Sequence, residues 1–299
     1  MLSGRCPICG SPPLETTPIA GPDRFQGTPG TFSVAVCSEC GTGWTLPEVP
    51  AAELDAYYPA SYGFLQPTAF QRRLQRLLMD RALDRPPLEA LAQAPPGELL
   101  DVGCGRGDLG AAFSRRGWRV SGVEPSPEAC EVARAQGLDA RTGTLETVSF
   151  EDRRFDAVVM RHSLEHVPDP LADLALIFRL LRKGGLLAAS TPNFDSWERH
   201  RFGSAWFHLD LPRHRTHFTP GSLRLALTKS GFESVWVETS GDPGSLLATL
   251  QYRLAGRLFS QSAPALYVQY GLGLVLTPAR ALLDRQAGGG PFLHAIARA

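Results

Sequence analysis

The sequence predicts an α/β protein, an open sheet whose strands alternate with helices, preceded by a small four-cysteine module and interrupted by helical insertions. Three observations carry this. The apolar run Leu99-Leu-Asp-Val-Gly-Cys-Gly-Arg-Gly107 ends in three alternate glycines and enters a helical pattern. About twenty residues on, Trp118-Arg-Val-Ser-Gly-Val-Glu124 supplies a second strand that ends in a carboxylate, the arrangement from which such folds hold a ribose. Near the N-terminus, two C-x-x-C pairs stand on either side of a Pro/Gly-rich loop.

Taken in chain order, the first element is that cysteine module, residues 1–45. Cys6-Pro-Ile-Cys9-Gly10 and Cys37-Ser-Glu-Cys40-Gly41 flank one expected hairpin strand, Phe32 to Val36. Four thiolates at this spacing suit tetrahedral zinc, and a shell closed by four cysteines is structural, not catalytic. A pair of redox or disulfide cysteines is the alternative. Each following glycine lets the backbone fold under the metal and aim amides at sulfur. Residues 46–96 read as a linker and an N-terminal helical lid. Phe70 to Met79 has apolar residues at helical spacing, which suggests a helix over the cofactor site with its arginines on a solvated face. Tyr57, Tyr58 and Tyr62 precede it.

Residues 97–299 form the main domain. Gly103, Gly105 and Gly107 have no Cβ, so the loop can take positive φ and lie against a ligand with its main chain. A dinucleotide site requires G-x-G-x-x-G, but the sixth position here is Asp108, whose carboxylate would repel a pyrophosphate. The pattern from Asp101 to Gly107 resembles motif I of the class I S-adenosylmethionine-dependent methyltransferases, whose cofactor is cationic at sulfur and carries no phosphate. The resemblance continues over residues 97 to 240. Gly143-Thr-Leu-Glu146 is similar to the family's adenine-contacting segment, with Thr144 where many relatives have an acid. Phe155 to Pro170 resembles motif IV, with Asp169 as the cap and Pro170 as the first residue of the next helix. Leu180 to Pro192 is similar to the helix end, glycine turn and fifth strand. The family fold implied is a Rossmann-like seven-strand methyltransferase sheet. The implied cofactor-binding residues are Asp101, Gly103, Cys104, Gly105, Gly107, Glu124, Pro125, Thr144, Leu145, Glu146 and Arg161. Cys104 and Cys130 read as small packing residues and not as nucleophiles.

Methyl transfer from a sulfonium is an in-line displacement, so a hydroxyl acceptor must be aligned and must lose its proton. Histidine suits that task near neutral pH, and two clusters offer it. His162-Ser-Leu-Glu165-His166 stands where the fourth strand gives way to its helix. It resembles the Leu-Glu-His-Val-Pro segment of the ubiquinone O-methyltransferases, in which an acid, Glu and His can hold a divalent metal. Here His162 takes the acid's place, and the alternative is that Glu165 and His166 only cap the helix. The second cluster, Trp206 to Thr219, lies in an insertion at 194–218 before a helix that starts at Thr219-Pro220. It resembles a Leu-Asp-x-Pro-Arg-His segment of a broad methyltransferase subgroup. The expected catalytic residues are His166, His214, Asp210 and Arg213, with His166 or His214 as base and Arg213 orienting an acceptor or bracing Asp210.

A further insertion, 241–290, reads as two apolar helices, Ser245 to Arg257 and Pro264 to Arg285, before a last strand, Pro291 to Ala297. Leu266 to Leu276 is apolar, but Pro278 and Arg280 end that run short of the roughly 20 residues a membrane span needs. A cover for the active site or an oligomer contact is expected, with peripheral membrane docking as the alternative. The chain has 299 residues, 43% of them hydrophobic, and a formal charge of zero, which argues against generic nucleic-acid binding. Its first residues, Met1-Leu-Ser-Gly-Arg-Cys6, lack a secretory layout, so a cytoplasmic chain with reduced thiols is expected. The expected reaction is O-methylation of a small molecule, a glycan-type or quinone-like acceptor. The alternatives are N- or C-methylation, and a non-catalytic scaffold whose zinc ribbon recruits a protein partner.

Overall fold

The computed structural model describes residues 4–14, 19–50, 53, 55–58, 69–150, 154–258, 263–286 and 289–299. Tyr62 and Gly288 lie outside the described residues. In chain order the strands are β1 (Ile19–Gly21), β2 (Phe32–Val36), β3 (Gly43–Leu46), β4 (Glu98–Val102), β5 (Arg119–Glu124), β6 (Asp139–Thr142), β7 (Phe155–Arg161), β8 (Leu181–Pro192), β9 (Thr216–His217), β10 (Glu233–Ser240) and β11 (Phe292–Arg298). The helices are α1 (Ala69–Ala82), α2 (Leu88–Ala92), α3 (Asp108–Arg115), α4 (Pro127–Ala135), α5 (Pro170–Leu180), α6 (Trp197–Phe202), α7 (Pro220–Lys229), α8 (Ser245–Ala255) and α9 (Ala263–Gln286).

Seven strands make one sheet in the order β10-β11-β8-β7-β4-β5-β6. The run from β6 to β8 is parallel, and β11 is antiparallel to both of its neighbours. The central strands β4 and β7 are covered on both faces, which is why Leu99 to Val102 and Ala157 to Met160 are buried and read as apolar runs, broken only by Asp101. The crossover helices begin where the sequence marks them. The Asp169 side chain accepts from the amides of Leu171 and Ala172 at 3.1 and 3.0 Å, with Pro170 at the first helical position of α5. Thr219 and Ser222 close a capping box at the start of α7.

The cysteine module does not stand apart from this sheet. Its strands β1, β2 and β3 form a second sheet whose fourth strand, β9, comes from the insertion far along the chain. Cys6, Ile8, Cys37 and Trp44 share one core cluster with Leu164, Phe218 and Leu223, and the Lys229 ammonium donates to the Ile8 carbonyl at 3.0 Å. The expected break at residue 45 divides the sequence but not the packing. A ribbon this small has too little apolar surface to bury alone and uses the main domain's.

Helix α1 packs against α3, joined to it by Arg115–Asp80 and followed by Arg116–Asp84 at 2.5 and 2.7 Å. That neighbour differs from the cofactor site it was expected to cover. Arg73, Arg76 and Arg81 are exposed, as a solvated face requires. Helix α9 runs unbroken through Pro278, and no helix among the described residues is long and apolar enough to cross a membrane.

Candidate active site

The carboxyl edge of the parallel strands gathers the expected cofactor residues. The loop from β4 to α3 hangs from β5: the amides of Gly103 and Cys104 donate to the Val123 carbonyl at 2.8 and 3.2 Å. Gly103 and Gly105 have φ of 75° and 51°. A Cβ on Gly105 would meet nothing within 4 Å, whereas one on Gly103 would lie 2.6 Å from the Ser163 side chain. The loop therefore turns an open main-chain surface outward and its closed side to the end of β7. Glu124 accepts from the Gly105 amide at 3.0 Å and the Ser126 amide at 3.1 Å, so the acid tip of β5 braces the glycine loop. Pro125 follows it. Asp101 is buried with Oδ2 lacking a hydrogen-bond partner, and burial pushes its carboxyl up to about 7. Thr144 and Glu146 follow β6 and are exposed, while Leu145 is packed in the core with Val123 and Phe150; Arg161 ends β7. Cys104 and Cys130 are buried, and burial pushes the Cys104 thiol up, which disfavours a nucleophile.

The two histidine clusters that the sequence offers separately are one site. The rings of His166 and His214 meet edge to face with centroids 4.7 Å apart. His166 Nδ1 lies 3.1 Å from the Arg213 carbonyl, and His214 Nδ1 lies 2.9 Å from the His208 carbonyl. A carbonyl only accepts, so both Nδ1 atoms carry the proton and each Nε2 keeps its lone pair. Tyr58 Oη is 3.2 Å from the same His166 Nδ1. Glu165, 1% exposed, offers a carboxylate oxygen within 4.8 Å of a nitrogen of each ring, and neither of its oxygens has a hydrogen-bond partner. Its nearest ion pair is His162 Nδ1 at 3.6 Å. Burial alone would raise Glu165, but His162, His166 and His214 hold it down at about 2.

One ligand atom each from Glu165, His166 and His214 lies within 4.8 Å of the others, a two-histidine, one-carboxylate set that fits a divalent transition metal. The third member of this set comes from the insertion, whereas His162, at the place where the resembling motif has an acid, stands beside Glu165 instead. His162 and Asp210 are non-glycine residues at positive φ, 54° and 37°, a strain that concentrates at functional sites.

Arg213 is fully buried, so of its two expected roles only the bracing one is open. Its guanidinium donates to Asp210 at 2.6 Å, to Asp23 of the ribbon loop at 2.8 Å and to the Tyr57 carbonyl at 2.8 Å. Burial would raise Asp210, but Arg213 beside it holds that carboxyl below its usual range. Asp210 Oδ2 in turn stands 3.8 Å from His214 Nε2. Sequence reasoning missed Asp23, Thr45 and His208. His208 Nε2 lies 3.4 Å from Asp242 Oδ2, and its ring packs on Phe292 at 4.7 Å. Only His208 carried a local signal, its place in the histidine-rich insertion.

Four thiols are close together and compatible with a zinc site. Cys6 Sγ lies 3.5 Å from Cys40 Sγ and Cys9 Sγ 3.3 Å from Cys37 Sγ. The two knuckles match: amides of Ile8 and Cys9 point at Cys6 Sγ, and those of Glu39 and Cys40 at Cys37 Sγ, at 3.4 and 3.5 Å in each. Amides so aimed stabilise thiolate charge, as expected from Gly10 and Gly41.

Burial lowers His214 to about 4 and His217 to about 3, from 6.5. With both pKa values depressed on folding, the unfolded chain binds more protons between those values and 6.5. Stability is therefore expected to be full above pH 6.5 and to fall by a few kcal/mol, at about 1.4 per unit and group, as pH drops to 5. Urea midpoints at pH 7.5 and pH 5 check this, and equal midpoints would contradict it.

A methyltransferase-domain family model matches residues 70–237, more than half of the chain. The chain is 35% identical over 167 residues to the ubiquinone biosynthesis O-methyltransferase of Methylocella silvestris, covering 54% of this chain and 62% of that protein. It is 35% identical over 170 residues to the protein of the same name from Cereibacter sphaeroides, covering 52% and 66%. The match thus spans a little under two thirds of each relative's length. The structure of a SAM-dependent methyltransferase from Archaeoglobus fulgidus superposes with a TM-score of 0.52 at 20% identity, over 77% of this chain and 98% of that one, which shows the fold.

Proposed function

The chain belongs to the methyltransferase-domain family, as an S-adenosylmethionine-dependent enzyme of class I, and we propose that it methylates a hydroxyl oxygen of a small quinone-like or glycan-type acceptor. The observation that carries this reading is the convergence of His214 with Glu165 and His166, which lie two and three residues beyond Ser163, whose side chain abuts the glycine loop. In the transfer, the acceptor oxygen forms a bond to the methyl carbon as the carbon–sulfur bond breaks. The sulfonium becomes the neutral thioether of S-adenosylhomocysteine, and the hydroxyl proton leaves to a base. His214 or His166 takes that proton at Nε2, because Nδ1 of each ring is committed to a main-chain carbonyl. Glu165 stabilises the imidazolium so formed, and Asp210, fixed by Arg213 with Oδ2 3.8 Å from His214 Nε2, adds a second negative charge beside it. A quinone-like acceptor must enter as the hydroquinone, since only that form offers a hydroxyl.

A second reading is favoured by the two unpartnered oxygens of Glu165. Glu165, His166 and His214 would hold a divalent cation, which would lower the pKa of a hydroxyl brought to it. In the ribbon, Cys6, Cys9, Cys37 and Cys40 hold a structural zinc. Metal analysis is expected to find one zinc per chain, and chelation should open the N-terminal segment to protease. Well under one zinc, or unchanged resistance after chelation, would contradict that assignment.

The acceptor is tested by incubating the enzyme with methyl-labelled S-adenosylmethionine and a fractionated extract of its host. Label in the lipid phase supports a hydroquinone and a peripheral membrane contact; label in the aqueous phase supports a soluble sugar. No transfer, with S-adenosylhomocysteine binding demonstrated, would count against the reading.

A further inference from the structure

Three successive residues of the ribbon's third strand, Gly43, Trp44 and Thr45, touch the histidine-bearing insertion. Strand β3 pairs with β9, Gly43 opposite His217 and Trp44 opposite Thr216. The pairing is close: a Cβ on Gly43 would come within 3.1 Å of the His217 Cβ and 2.8 Å of Val34. One residue on, Thr45 makes three bonds to the same segment. Its amide donates to the Arg215 carbonyl at 3.0 Å, its hydroxyl donates to the His214 carbonyl at 2.6 Å, and the same oxygen lies 3.0 Å from His217 Nε2. The oxygen has given its proton to the carbonyl, so His217 Nε2 donates to it. From the other side, the amides of Arg215 and Thr216 donate to the Glu165 carbonyl at 2.8 and 3.2 Å. Two further ties flank these, Asp23 to Arg213 and Glu48 to Arg215.

The backbone at 213–217 is thus held between the cysteine ribbon and the motif that carries Glu165 and His166, with His214 in the held stretch. Thr45 is five residues from Cys40, whose carbonyl also accepts from the Thr219 hydroxyl at 3.3 Å. We infer that the ribbon is the positioning device of the active centre, and that Thr45 is a positioning residue that sets the place of His214 relative to Glu165. A recruitment module for a distant partner has no need of these contacts. The role assigned to His214 rests on the proposed function, but the coupling between Thr45 and His214 does not.

The test uses the full zinc-loaded chain with bound S-adenosylhomocysteine, and two variants, Thr45→Val and Thr45→Ser. Valine keeps the shape and loses both side-chain hydrogen bonds; serine keeps them. Two readouts are compared: amide hydrogen exchange by segment, and the imidazole nitrogen resonances of His214, assigned by their loss in His214→Gln. Thr45→Val is expected to raise exchange at 211–217 at least tenfold and to shift the His214 signal. Exchange at 99–107 and S-adenosylhomocysteine affinity should stay within twofold, and Thr45→Ser should restore the wild-type pattern. Wild-type exchange and His214 signal in Thr45→Val would overturn the inference, as would a rise spread evenly over 99–107 and 211–217. Should Thr45→Val not fold, removing zinc from the wild-type complex puts the same question. Loosening confined to the ribbon and 211–217 supports the coupling, and loosening of the ribbon alone refutes it. Failure of the methyl-transfer reading would show instead as missing cofactor affinity or missing product in the unaltered enzyme, with these signals intact.

Discussion

Replacing Glu165 with glutamine is expected to lower methyl transfer by about 10²- to 10⁴-fold and to leave S-adenosylhomocysteine affinity unchanged. Glutamine fills the same volume, so little packing is lost. What changes is the charge at the centre of the cluster. Glu165 stands among His162, His166 and His214, which together hold its carboxyl at about 2 against its burial. Remove the charge, and an imidazolium formed at His166 or His214 loses its buried counter-charge. The effect is predicted under either account of the cluster, because a cation shared with the two histidines also needs the carboxylate. The cofactor is spared because its loop is braced by Glu124 and Val123. Single-turnover transfer and calorimetric titration separate the two quantities. Transfer within a few-fold of wild type would remove Glu165 from the chemistry.

The largest stability effect is expected at Arg213. Its guanidinium is fully buried and stands between Asp210 and Asp23, with Tyr57's carbonyl as third acceptor. Replacing it with methionine leaves Asp23, fully buried, and Asp210, mostly buried, without their shared cation, a loss of about 3–5 kcal/mol. Against a total stability of roughly 5–15 kcal/mol, that is a large share of what keeps the chain folded. Lysine should recover only part of the loss, because one ammonium cannot reproduce the planar fork that reaches three partners in different directions. Denaturant midpoints of Arg213→Met and Arg213→Lys check both statements. A methionine variant as stable as the wild type would show that the triad is dispensable.

The parts of this molecule that were legible in its sequence are those whose signals are local. The glycine loop after Val102, the acid at Glu124, the cap at Asp169 and the Thr219-Pro220 start each depend on residues a few positions apart, and each stands where expected. The two C-x-x-C knuckles come together across a hairpin whose strand Phe32–Val36 was also legible. What escaped reading is the assembly of the site from distant segments. Strand β9 is two residues long, below any periodic pattern, and its partner β3 lies some 170 residues earlier. The Arg213–Asp23 pair spans 190 residues. Nothing near Asp23 announces an arginine, and its Asx turn, in which it accepts from Phe25 and Gln26, reads as ordinary loop chemistry. For the same reason His166 and His214 look like rival candidates in one dimension and are neighbours in three.

The central claim, methyl transfer to an oxygen at the Glu165–His166–His214 cluster, is tested most directly by product analysis. The enzyme would be given carbon-13 methyl-labelled S-adenosylmethionine and a short-chain hydroquinone, and the product's methyl group located by NMR, with His166→Gln/His214→Gln run alongside. The account predicts a methoxy product from the wild type and, from a double variant that still binds S-adenosylhomocysteine, a rate lower by at least about 10²-fold. A methyl group on carbon or nitrogen, or transfer by the double variant within a few-fold of wild type, would contradict it.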